Sequence, residues 1–174
     1  VKRGIDSDDN PTTNSRLVVI GHSFGGALTF SSLHKVLADR FRDSRTGQTF
    51  SGDANGFGDL VVLVNPAFEA LRYASLFEMT QESCRGYFTS QVPRLAVLTS
   101  EADNATKYAF PAGRVFTTLT ESHVTLTRHD CQGRGRNGKV VTRIDEAKAD
   151  RTTIGHFEPY LTHRLNPGAP AAAD

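Results

Sequence analysis

The sequence predicts an α/β fold, a mostly parallel sheet flanked by helices, on three observations. Three apolar runs, "RLVVI" from Arg16, "LVVLV" from Leu60 and "RLAVL" from Arg94, lack the alternation of a half-solvated strand and read as strands buried on both faces. Stretches with helical spacing separate them, as right-handed crossovers between parallel strands require. At 174 residues and 38% hydrophobic, the chain can bury one sizeable core, so one domain is expected.

Each element follows in order. Residues 1–15 are polar, with "SDDNP" as a loop signal, and read as a poorly ordered lead-in. After the first strand, Phe24 to about Phe41 spaces Leu28, Ser31, Ser32, Leu33, Val36 and Leu37 as an amphipathic helix does. Ser44 to Asp59 is dense in Gly, Ser, Asp and Asn and reads as a long loop. Pro66 stops the second strand, and Ala67 to Ser83 is weakly helical, with Leu71, Ala74, Leu76 and Phe77 placed to meet the sheet. Pro93 introduces the third run, which ends at Asp103. A short helix is expected within 107–122, and residues 123–145 read as two strands joined by a Gly- and Arg-rich loop. Residues 153–165 look like a loop entering a last helix, and the Pro/Ala-rich tail, 166–174, is expected to be disordered. The domain therefore spans 16–165.

Composition excludes several classes. Twenty basic and nineteen acidic side chains leave a net charge of +1, too weak a field to argue for nucleic acid or an anionic membrane. The Arg134, Arg136, Lys139 cluster reads as a solvated turn rather than an anion site. No apolar run approaches the ~18 residues of a membrane span, and the polar start lacks the apolar core of a signal peptide. Cys84 and Cys131 are too few for a disulfide framework, leave one bridge or none open, and lack any metal-ligand pairing; no metal or cofactor is expected for the chain. A small molecule is the expected partner.

The chemistry-bearing motif is "GHSFGG", Gly21 to Gly26. Gly21, His22, Ser23, Phe24 and Gly25 match G-x-S-x-G directly after a predicted strand and directly before a predicted helix. Such a turn holds its serine at positive φ, and small residues two places either side let the backbone elements approach. Ser23 then stands at a helix N-terminus, where free N–H groups favour developing negative charge, and Phe24 N–H is a candidate oxyanion donor. The rival, a phosphate-binding turn, lacks both Gly-Lys-Ser/Thr and G-x-G-x-x-G.

A serine nucleophile needs a base, itself oriented by an acid. The third run ends in "TSEAD", which offers Asp103, with Glu101 as the alternative, at the carboxyl edge where open α/β sheets place their sites. Of six histidines, His22 and His34 precede the acid, His123 and His129 fall in or beside the hairpin, and His163 lies in the expected last helix. His156, preceded by Gly155 in a loop, is the candidate base. Phe24, Phe68, Phe110 and Phe157 flank these elements and favour an apolar acyl group, although a plain core role explains them equally well.

With Ser23, Asp103 and His156 in that order, the chain resembles the α/β-hydrolase superfamily from the nucleophile strand onward, and in particular a group of bacterial esterase- or lipase-like hydrolases with G-H-S-F-G-G elbows. The residues that carry the resemblance are "VVIGHSFGG", "LVVLVNPAF", "LAVLTSEADNATKYAFP" and "TIGHFEPYLTH". The resemblance implies strands before the nucleophile strand, and a loop there that supplies a second oxyanion donor. Only fifteen residues precede Arg16, so these N-terminal strands are expected to be lacking. Loss of one donor would cost about 3–4 kcal/mol of transition-state stabilisation. The edge of the nucleophile strand is then expected to meet a missing N-terminal segment or another copy of the chain. The activity implied is hydrolysis of a small-molecule carboxylic ester through an acyl-enzyme. The alternative is a non-catalytic hydrolase-like fragment, or a module that binds a ligand or partner.

Overall fold

The computed structural model describes residues 16–44, 50–51, 54–80, 85–87, 89–111, 124–129 and 140–165. The three apolar runs form strands β1 (Val18–His22), β3 (Leu60–Val64) and β5 (Leu95–Leu98). They lie side by side in the order β1-β3-β5, all parallel, with Ile20 opposite Val62 and Val62 opposite Ala96. Helix α1 (Phe24–Asp43) follows β1, and α2 (Ala74–Thr80) lies between β3 and β5. The α/β class with a parallel sheet is therefore present. Two small sheets stand beside it: β2 (Phe50–Ser51) pairs in parallel with β4 (Arg85–Gly86), and β6 (Thr125–His129) pairs antiparallel with β7 (Val140–Asp145).

One face of the main sheet carries the core. Val61 and Leu63, at most 1% exposed, join Ala27, Phe30 and Leu37 of α1, with Val19, Leu95 and Val97 packed against them. Aromatic rings extend this layer: Phe30 stacks on Phe68 at 4.6 Å, and Tyr160 contacts both Phe77 and Phe157. Burial raises the Tyr73 hydroxyl to about 12, so this layer holds neutral phenols. The opposite face is different. Val18 and Ile20 are 48% and 68% exposed, and Leu98 is 47% exposed. The expectation that these strands are buried on both faces is thus corrected, because no described element packs over the side of β1 that carries Val18 and Ile20.

Four other elements differ from the sequence reading. Helix α1 buries Ala27, Phe30, Leu37 and Phe41, while Leu28 is 62% exposed. The Ala67–Ser83 segment begins with a 3₁₀ turn, Ala70–Tyr73, and only then becomes α2. Within the stretch expected as a loop, 44–59, Phe50 and Ser51 form strand β2. A short helix, α3 (Glu146–Arg151), starts where the Asp145 carboxylate accepts a hydrogen bond from Lys148 N–H at 3.0 Å, an N-cap that the sequence reading missed.

The expected last helix within 153–165 does not form. Two 3₁₀ turns, Ile154–His156 and Glu158–Tyr160, stand there, followed by non-helical chain. Phe157 and Tyr160 enter the core three residues apart, but Leu161 to Leu165 are all exposed, so a longer helix would have no apolar face to dock. The lead-in, the tail, His123, Cys84, Cys131, Arg134, Arg136, Lys139 and most of 107–122 lie outside the described residues.

Candidate active site

Ser23 joins β1 to α1 with φ 51° and ψ −120°. An L-residue in so sparsely populated a conformation costs about 1–3 kcal/mol and persists only where its surroundings fix it. Here its N–H donates to Val64 O at 2.9 Å, and its carbonyl accepts from Ala27 N–H at 3.2 Å and Ala67 N–H at 3.1 Å. The corner is thus tied both to α1 and to the chain leaving β3. A Cβ on Gly21 would meet Gly25 O and Gly26 Cα, each at 2.8 Å, and one on Gly26 would meet Pro66 Cβ at 3.0 Å. Gly25 behaves otherwise, since a Cβ there has nothing within 4 Å. The close approach expected at Gly21 and Gly25 is in fact made at Gly21 and Gly26.

Ser23 is half-buried, and its Oγ makes no hydrogen bond among the described residues. Phe24 begins α1, so its N–H has no intrahelical acceptor, and its ring is 77% exposed. His22 is exposed. Of the other phenylalanines near these elements, Phe68 and Phe157 are 1% exposed and belong to the core, whereas Phe110 is half-buried.

The carboxyl end of β3 reaches across to β5 through Asn65, the other described non-glycine residue at positive φ. Its N–H donates to Leu98 O at 2.8 Å, and its Oδ1 accepts from Ser100 N–H at 2.9 Å. This fixes where the loop that carries Asp103 departs from β5. Asp103 Oδ1 accepts from Ala105 N–H at 3.1 Å and Thr106 N–H at 3.4 Å, while Oδ2 accepts from the Thr106 hydroxyl at 2.7 Å. The Thr106 hydroxyl is the largest influence holding the Asp103 carboxyl below its ordinary value, the backbone donors and His156 act in the same direction, and desolvation opposes them. Glu101 turns elsewhere, to an exposed pair with Arg164 at 2.6 Å.

His156 ends the Ile154–His156 turn, which is fastened from two sides. Ile154 N–H donates to Phe68 O at 3.1 Å, and the buried Thr153 hydroxyl donates to Thr106 O at 3.0 Å. Gly155 lets the turn lie on the end of β5, for a Cβ there would land on the Thr99 side chain. His156 Nε2 lies 3.2 Å from Thr106 Oγ1. Burial lowers the imidazole below its ordinary 6.5, Lys107 lowers it further, and Asp103 and Glu101 oppose the shift. At neutral pH the ring is a free base.

The structure therefore brings Asp103 and His156 together through Thr106. Among the described residues no hydrogen bond joins them directly, and none joins His156 to Ser23. Sequence reasoning missed Thr106. Its signal was the D-x-x-T spacing after the third strand, since a short hydroxyl side chain commonly bonds back three residues. His34 and His163 serve local contacts instead, to Ser31 O and to the Thr162 hydroxyl.

Comparison with protein-family models, with curated proteins and with solved structures finds no match. Among the described residues, no three His, Cys, Asp or Glu side chains group as metal ligands, and no helix is long and apolar enough to cross a membrane. The functional reading therefore stands on the geometry of the sheet's carboxyl edge.

Proposed function

We propose that the chain is a serine hydrolase that cleaves carboxylic esters through Ser23, His156 and Asp103. One observation carries the reading: a serine forced to φ 51° at a strand-to-helix corner shares the carboxyl edge of a parallel sheet with a neutral imidazole coupled to an ionised carboxylate. Strain of this kind is retained where surrounding structure holds it for a purpose. Ser23 Oγ attacks the ester carbonyl as His156 takes its proton, and Phe24 N–H together with the N-terminal end of α1 receives the charge on the carbonyl oxygen. The protonated imidazole then passes its proton to the leaving alcohol, Asp103 stabilises that cation, and water releases the acyl group. The reaction needs no cofactor. This mechanism requires a Ser23–His156 hydrogen bond in the substrate complex, where such bonds tighten.

Phe24, which follows Ser23, and Leu28, one turn further along α1, are both exposed and favour an apolar acyl group. A second reading, a ligand- or partner-binding module without turnover, draws support from the lack, among the described residues, of a hydrogen bond between His156 and Ser23.

Mass spectrometry after treatment with a fluorophosphonate separates the two. Hydrolysis predicts one adduct on the Ser23 peptide, absent in Ser23→Ala and strongly reduced in His156→Ala. Folded protein that gains no adduct would favour the binding module.

A further inference from the structure

We propose that Thr106 is a positioning residue that commits the neutral His156 ring to one tautomer, with the proton on Nε2 and the basic lone pair on Nδ1. The inference rests on the proposed hydrolase site but is decided by proton counting around one hydroxyl. Thr106 is 3% exposed, so water has little access to its side chain. Its Oγ1 lies 2.7 Å from Asp103 Oδ2 and 3.2 Å from His156 Nε2. A hydroxyl has one proton to donate and two lone pairs with which to accept.

The carboxylate settles where that proton goes. Asp103 is ionised at neutral pH and can only accept, so the Thr106 proton points at Oδ2. Only lone pairs then remain toward His156, and a hydrogen bond there requires an N–H on Nε2. In a neutral imidazole the other nitrogen, Nδ1, is left as the acceptor. The proton donation thus runs in one direction, from His156 Nε2–H to Thr106 and from the Thr106 hydroxyl to Asp103. Thr106 is held in place for this by Thr153, whose hydroxyl donates to its carbonyl, and by its own N–H on Asp103 Oδ1. The charged groups acting on His156 are Asp103 and Glu101, which favour its cation, and Lys107, which opposes it; Glu101 is itself paired with Arg164.

The tautomer is measured directly by two-bond ¹H–¹⁵N correlation spectra of ¹⁵N-histidine-labelled full chain at pH 8, with His156→Gln used to assign the signals. The expected result is an Nε2-protonated His156 in the wild type, retained in Thr106→Ser and replaced by a tautomer mixture in Thr106→Val. A wild-type ring protonated on Nδ1 overturns the proposal without need of any variant, as does a Thr106→Val spectrum identical to wild type. If the hydrolase reading also holds, fluorophosphonate labelling of Ser23 slows in Thr106→Val and is restored in Thr106→Ser. Absence of labelling in every form would sink the hydrolase reading while leaving the tautomer result to be judged by itself.

Discussion

Lys107 follows Thr106 in the chain and acts on His156 through charge. Its ammonium disfavours the imidazolium, while Asp103 and Glu101 favour it, and burial adds to the lowering. A base works only when unprotonated, so the acid limb of Ser23 labelling against pH should have its midpoint below 6.5. Lys107→Met should move that midpoint upward and Glu101→Gln should move it downward, as read from labelling rates between pH 4 and 8. A midpoint above 6.5, or a downward move in Lys107→Met, would contradict the assignment of His156 as base. The sign for folding is the same. Because the folded-state value of His156 lies below that of the unfolded chain, its contribution to stability is complete above 6.5 and is lost as pH falls through the folded value. Asp103, held below 3.8, likewise contributes above that value and loses its contribution on further acidification.

At the scale of elements, the β1–α1 corner separates two glycines that the motif treats alike. Gly21→Ala forces a methyl against the backbone of Gly25 and Gly26, an overpacking expected to cost about 1–3 kcal/mol. Gly25→Ala meets open space inside α1 and should stabilise the helix by up to about 1 kcal/mol. Urea unfolding of both variants checks this, and equal losses would mean that the corner packs differently. The same corner shows what the sequence made legible. Strand, turn and helix follow from "RLVVIGHSFGG" because continuous apolar runs, Gly and Ser carry local rules. Asp103 and His156 were picked out by their order along the chain, whereas the Thr106 hydroxyl that both of them reach was not foreseen. D-x-x-T has many local uses, and only the Thr153 and Ile154 hydrogen bonds, which seat the His156 turn, bring Thr106 to the ring. Helix α3 was missed because six residues carry too little periodicity to register, and its Asp145 cap is also the last residue of β7.

For the whole molecule, hydrophobic pattern predicts that a strand is apolar but not which of its faces is covered. Ile20 and Leu63 belong to adjacent parallel strands, yet one is 68% exposed and the other 0%. Val18 and Ile20 alternate with the core-facing Val19 along β1, so the sheet presents apolar side chains on the face away from α1. Replacing a core side chain and one on the open face should therefore have very different consequences. Leu63→Ala should cost about 2–5 kcal/mol, because it leaves a cavity beside α1. Ile20→Thr keeps a β-branched residue on the strand and should stay within about 0.5 kcal/mol of wild type, while lowering the binding of a dye that fluoresces on apolar surface. Urea unfolding and dye fluorescence of the two variants test the contrast. A loss in Ile20→Thr as large as that in Leu63→Ala would show that this face is covered in solution, and the strand would then be buried on both sides as its sequence alone suggests.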